Sequence, residues 1–424
     1  MHKTDCIPAP ADDVEVDGLT SLPNSPNDFG TDDGWLGQEA MARFWRCCEP
    51  WLAARGYTLY PRRLPEWGAL KEGWYAPTHT ASAPLPYAIC VRADSCPSYP
   101  DIPPLKIAWA QDSRKRDVVL KLTNTQTDDY RIYQELLRCE SLQVPGVCAG
   151  VLPPVAILDT PYEYSFVVMP RWGELSYLDE FETPKDIIRF MRCTLQGLSV
   201  LHAHRIVHRD IIETNMLVNY YCPDRSVQDM DSVLRERRRT GDPAYCLFDF
   251  NLSMQLPPGT SLRECRRPAV EATTGLSSFS ARDIELGEHE YNPFAYDVAC
   301  LGNTFRVYFS RAVPTVPLFA PLFDKMTTHV VHQRFTAKEA LDFLDAVALQ
   351  LPAHIGDTTL TLEVDWSCLA IVGKYWEWTP PDFQERWRYY ATPSRSWSGR
   401  LVDWLCGLPI GWHVVRYVRA ALRI

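Results

Sequence analysis

Fourteen cysteines are scattered along the chain without a single C-x-x-C pair. That absence excludes the paired spacing of a structural zinc site and gives no sign of a disulfide framework, so free thiols in a reducing compartment are expected. Basic charge is not in excess either. The formal net charge of -10 argues against a general nucleic-acid binder. No uncharged apolar run reaches the length of a membrane span. The opening Met-His-Lys-Thr-Asp-Cys is too polar for a signal peptide. A soluble intracellular protein is expected, cytoplasmic with the nucleus left open. Glycine is missing altogether between Gly73 and Gly146. A glycine-rich turn, which lets backbone N–H groups crowd an anion, is therefore excluded from that stretch.

What the chain does have is core-forming material. Hydrophobic residues make up 46% of its 424 residues, enough for one large domain or two ordinary ones. The densest chemistry lies at residues 201–215, whose second half, His208 to Asn215, reads H-R-D-x-x-x-x-N. A carboxylate beside an incoming hydroxyl and a fixed metal ligand are two of the few protein parts that phosphoryl transfer needs. Downstream, the apolar run Tyr245-Cys-Leu-Phe ends in Asp249-Phe250, which puts a second carboxylate at the end of a strand.

These two motifs, in this order, resemble the protein-kinase superfamily. The resemblance covers residues 85–350 and implies an α+β, bilobal protein-kinase-like fold. A small β-rich N-lobe with one helix, hinge included, would occupy residues 85–172, and a larger, mainly helical C-lobe residues 173–350. ATP and Mg2+ are the implied cofactors. Asp210, preceded by Arg209, takes the position of the catalytic base, and Asn215 and Asp249 those of the metal ligands. Asn251 stands where the family has the glycine of D-F-G, and Asn also visits left-handed backbone at modest cost. The run Asp117-Val-Val-Leu-Lys-Leu resembles the V-A-I-K strand, with Lys121 gripping the phosphates. A helical segment at 130–137 offers Glu135 as its ion-pair partner, with Glu140 a nearby competitor, and Cys139 one turn on, against Phe250. Met169 falls at the gatekeeper position and Pro170-Arg171-Trp172 in the hinge. Proline has no N–H, so the Trp172 backbone is left to serve the adenine ring.

Around this frame, residues 1–33 read as a disordered acidic leader. Residues 34–84 form a helical and aromatic extension. Its stripe of Met41, Phe44, Cys48 and Leu52 closes at Arg55-Gly56. Strands are expected at 87–91, 105–110 and 117–122, and as a pair within 153–170. Thr183-Pro-Lys-Asp186 opens a long apolar-faced helix that runs into the 201–215 loop. Residues 221–242 form a polar insertion containing the basic run 235–239, and residues 256–281 an activation segment. Glu285 and Arg334 are expected to pair, and Asp297 to hold the backbone of the catalytic loop. Residues 351–424 are a Trp-rich extension ending in a basic amphipathic helix. That helix either docks on the protein or makes weak contact with an anionic membrane surface. The N-terminal block and this terminus look like those of the kinase-like proteins of mushroom-forming fungi.

The function implied is an ATP-dependent protein kinase of Ser/Thr type, acting on a protein substrate and on no nucleic acid. The alternative is a pseudokinase that works as a scaffold for protein partners. Two features feed it. The segment 92–104 carries Pro97, Pro100, Pro103 and Pro104 in place of glycines, and Ile212 occupies the catalytic-loop position of a lysine. Thr214 stands where tyrosine kinases use arginine, so that compensation is missing too.

Overall fold

The computed structural model describes residues 22–25, 35–63, 73–92, 105–175, 178–223, 235–237, 241, 243–273, 277–371 and 373–422. The protein is α+β. Its main sheet is built from β1 (Thr58–Leu59), β3 (Ile107–Gln111), β4 (Asp117–Asn124), β5 (Ala156–Asp159) and β6 (Tyr164–Pro170). All neighbours run antiparallel in the order β1-β3-β4-β6-β5. Strand β2 (Ile89–Cys90), expected among them, lies outside this sheet.

Strand β4 is covered on both faces, which is why its sequence is a nearly unbroken apolar run. Side chains alternate across a strand, so each face meets a different helix. Val118, Leu120 and Leu122 pack on α1 (Trp35–Ala54) through Phe44, Trp45, Cys48 and Leu52. Val119 faces the other way, in one core with Ile132, Tyr133 and Leu136 of α2 (Asp128–Arg138). The stripe read from the sequence is therefore the buried face of α1, and Gly56 follows it with a φ of +85°. Of the expected leader only residues 22–25 are described. There Leu22 is buried in the α1 cluster and Pro23 O accepts from Tyr164 OH at 2.7 Å.

Helix α3 (Pro184–Ala203) starts as its sequence suggests, with the Thr183 side chain accepting from Asp186 N at 3.2 Å. It packs with α4 (Pro293–Phe309) and α6 (Ala337–Gln350) around Phe181, Phe190, Tyr245 and Phe309, and α5 (Phe319–Thr327) packs on α4 and α6 in turn. The loop after α2 lies flat on α3. Gly150, at φ +76°, permits this, since a Cβ there would stand 2.0 Å from Cys193 O. Beside α3 runs a small antiparallel sheet of β7 (Gly173–Glu174), β8 (Met216–Val218) and β10 (Tyr245–Leu247).

Strand β9 (Tyr220–Tyr221) continues from β8 and pairs in parallel with β2. This pairing belongs to a strap formed by residues 79–91. Ala81 N donates to Lys115 O at 2.8 Å, and Tyr87 lies 4.1 Å beneath the Arg116 guanidinium, both on the β3–β4 turn. Pro86 O accepts from the Trp172 indole at 2.7 Å, and Leu85 O from Gly146 N at 2.9 Å. Ile89 N and Val91 N donate to Asn219 O and Tyr221 O.

The Trp-rich extension packs on the helices. Asp324 of α5 is buried and accepts from the Tyr375 hydroxyl, from Trp376 Nε1 at 3.0 Å and from Thr392 N at 2.6 Å. The terminal helices α7 (Trp397–Cys406) and α8 (Gly411–Leu422) follow. Helix α8 docks on residues 286–290: Val415 is buried, Arg416 O meets His289 Nε2 at 3.0 Å, and Arg419 lies 3.5 Å from Glu288. Among the described residues, no helix is long and apolar enough to cross a membrane. Of the basic run at 235–239 only residues 235–237 are described, and Arg235 there approaches Glu180 at 3.6 Å.

Candidate active site

Lys121 is only 4% exposed, because β4 is covered on both faces. A buried ammonium must be paired, and two carboxylates do this. Its Nζ lies 2.9 Å from Asp249 Oδ1 and 3.1 Å from Asp129 Oδ1, and donates also to Tyr133 OH at 3.3 Å. Burial works against the Lys121 charge, but the carboxylates of Asp129 and Asp249 outweigh it and hold the proton more tightly than on a free lysine. Burial also raises the Tyr133 hydroxyl far above its ordinary value, so that group is neutral and the two carboxylates supply the attraction. Asp129 is raised as well, by burial first, with Lys121 acting against it.

The expected pair of Lys121 with Glu135 is not formed. Asp129, in the first turn of α2, takes that place, and Glu135 turns away to His204 Nδ1 at 2.9 Å. The two acids stand six positions apart on the helix, so they lie on different faces. Glu140, the competitor, is exposed. Tyr133 packs edge-on against Phe250 at 5.3 Å, and Cys139 lies in the same core cluster. The sequence held a signal for this register in Asp129, Tyr133 and Leu136, which recur at helical spacing on one face.

The loop carrying Asp210 is fixed from below by Asp297 of α4, as its sequence frame suggested. Asp297 is fully buried and accepts from His208 N at 2.7 Å, Arg209 N at 2.8 Å and His202 Nε2 at 3.1 Å. Asn215 Nδ2 donates to Asp210 Oδ2 at 2.8 Å and to Asp210 O at 2.9 Å, which closes the loop on itself. Two bonds tie it to the Asp249 segment: Phe248 N to Asn215 O at 3.2 Å, and His208 Nε2 with Phe248 O at 3.0 Å. Arg209 reaches across to Glu271 O. Both Arg209 and Asp249 have left-handed backbone, at φ +67° and +62°. Such strained non-glycine residues persist only where their surroundings over-determine them.

Met169 is buried opposite Val119 on the neighbouring strand, and Lys121 opposite Val167. Trp172 follows β6, with its indole turned to Pro86. Residues 93–104, which include the four prolines, lie outside the described residues. Ile212 is half-buried and packs its side chain against the main core. Among the described residues, no group of three or more His, Cys, Asp and Glu side chains is placed to hold a metal ion. Asp210 and Asn215 are in direct contact, and Asp249 follows Phe248, whose backbone joins that segment to the same loop.

The expected pair of Glu285 with Arg334 is also replaced. Arg334 bonds Asp283 at 2.7 and 2.9 Å, and Glu285 makes an exposed contact with Arg282. No family model matches the chain, and no curated protein matches it.

Proposed function

We propose that this chain is a protein kinase of bilobal kinase-like fold, transferring the γ-phosphoryl group of ATP to a hydroxyl of a protein substrate. One observation carries the reading. A buried lysine, two carboxylates and an amide, drawn from three separate segments, are gathered by direct hydrogen bonds and two bridging ones. The antiparallel sheet order with one helix on the Lys121 face and helices beyond β6 supports the bilobal reading.

The donor set fits a hard cation such as Mg2+, which prefers oxygen ligands. Asp249 and the Asn215 amide oxygen would hold it, and the bound ion would offset phosphate charge. The remaining work falls to the chain's own groups. Asp210, oriented by Asn215, receives the proton of the incoming hydroxyl. Lys121, permanently charged and clamped by Asp129, meets phosphate oxygens beside Asp249. Arg209 steadies the loop, Met169 borders the adenine, and the Trp172 backbone N–H offers that ring a donor.

The second reading, a pseudokinase scaffold, is favoured by Ile212, which puts an apolar side chain where a cation would serve the transferred phosphoryl group. Thermal-shift titration with ATP, with and without Mg2+, separates the two. Ligand at roughly 100 times its dissociation constant adds about 2.7 kcal/mol of stability. A magnesium-dependent rise in melting temperature is expected. No shift at millimolar nucleotide would overturn the enzyme reading.

A further inference from the structure

The far end of α2 carries a second group of reactive side chains that phosphoryl transfer does not use. Cys139 caps the C-terminus of α2 and His204 that of α3. Glu135 Oε1 lies 2.9 Å from His204 Nδ1, and Cys139 Sγ lies 3.3 Å from His204 Nε2 and 3.2 Å from Ser141 Oγ. An ionised carboxylate only accepts, so Nδ1 carries the imidazole proton and Nε2 turns its lone pair to the thiol. His204 stands between the other two and uses both nitrogens, which makes the row a proton relay and not a metal chelate. Cys139 is 7% exposed, while the His204 and Glu135 side chains are about a third exposed, so only a small reagent reaches the sulfur. Elsewhere in the chain, burial first of all pushes the Cys48 and Cys148 thiols up to about 12.

We propose that Cys139 is an oxidant-reactive thiol, activated by His204 and oriented through Glu135, that takes small hydroperoxides. The thiol proton moves to His204 Nε2 and the sulfur attacks the terminal peroxide oxygen. The S–O bond forms as the O–O bond breaks, and the departing oxygen takes the proton back as water or alcohol. Sulfur loses two electrons and becomes a sulfenic acid, and the peroxide gains them. A low-molecular-weight thiol then restores the site by attacking the sulfenic sulfur, which releases water and gives a mixed disulfide open to further exchange.

The test is competitive oxidation within one molecule. Full-length protein receives limiting hydrogen peroxide, then catalase, then denaturant and alkylation, and each cysteine is scored by peptide mass for added oxygen. The exposed Cys47 serves as the internal standard. Cys139 should oxidise about ten-fold or more faster than Cys47, and that lead should vanish in His204→Gln and shrink in Glu135→Gln. If Cys139 in the parent protein oxidises no faster than Cys47, the proposal is overturned whether or not the variants fold. An undiminished lead in a His204→Gln protein that melts like the parent overturns it equally. Neither readout depends on nucleotide.

Discussion

Arg334 holds Asp283 through two short hydrogen bonds and leaves Glu285, two residues on, in solvent. The arginine also donates to Thr328 O and Ala295 O, so it joins the segment at 283 to the end of α5 and the start of α4.

Removing Asp283 strands a guanidinium that is 1% exposed. Asp283→Ala should therefore cost about 3–5 kcal/mol, the usual penalty for leaving one side of a buried pair. Glu285→Ala removes an exposed contact and should cost roughly 0–1 kcal/mol. Urea denaturation of both variants, with an Asp283→Ala/Arg334→Ala double, checks this. The double should cost less than the sum of its singles. Equal losses at 283 and 285 would contradict the pairing.

Asp129 and Glu135 should separate in the same way. Asp129→Asn removes one of two carboxylates from Lys121 and should lower stability by about 1.5–3 kcal/mol, the worth of a charged hydrogen bond. It should also weaken ATP binding, because the lysine loses its fixed position. Glu135→Gln should leave ATP affinity unchanged. Isothermal titration of both variants decides the matter, and a Glu135→Gln protein with the greater binding defect would reverse the assignment.

Asp249→Asn should remove the magnesium-dependent part of nucleotide binding and spare the metal-free part. On the proposed function, the substitution takes away the carboxylate assigned to the metal and leaves the groups assigned to adenine, Met169 and the Trp172 backbone, in place. Melting curves with ATP, with ATP and Mg2+, and with neither provide the comparison. Equal loss in both nucleotide conditions would make Asp249 a structural residue.

Ile212→Lys should raise phosphoryl transfer if a missing cation limits the site. One well-placed charge in a water-poor site is worth about 2–4 kcal/mol of barrier. Ile212 is half-buried, so turnover and melting temperature have to be measured on one preparation. A variant that melts like the parent and transfers no more phosphate would argue for the scaffold.

The features that were legible in sequence are those fixed by their immediate neighbours. Thr183 caps a helix its own segment forms, and the stripe of Phe44, Cys48 and Leu52 marks the buried face of α1. Partner choice was harder to read. Glu135 and Asp129 lie on one short helix, and what selects between them is the rotation of α2 against β4, set by Ile132, Tyr133 and Leu136. Asp283 and Glu285 lie two residues apart around the turn Arg282–Ile284, and the winding of that turn decides which faces Arg334. Strand 89–90 was visible as a strand, but its parallel partner lies more than a hundred residues away, where no local signal points to it.

The strap of residues 79–91 has a mechanical consequence. It is fastened to the β3–β4 turn at Ala81 and Tyr87, to the linker after β6 at Pro86, and to β9 and the residue before it at Ile89 and Val91. The sheet and the helices are thus joined by a second tether beside the covalent linker. Each of its hydrogen bonds contributes about 1 kcal/mol, so a wide swing that broke several would cost several kcal/mol. Only small rocking movements leave the tether whole. The aperture between Lys121 and the loop of Asp210 is then governed by chain that lies some 30 residues ahead of that lysine in sequence, and shortening or loosening residues 79–91 would change how far the site opens without touching any group inside it.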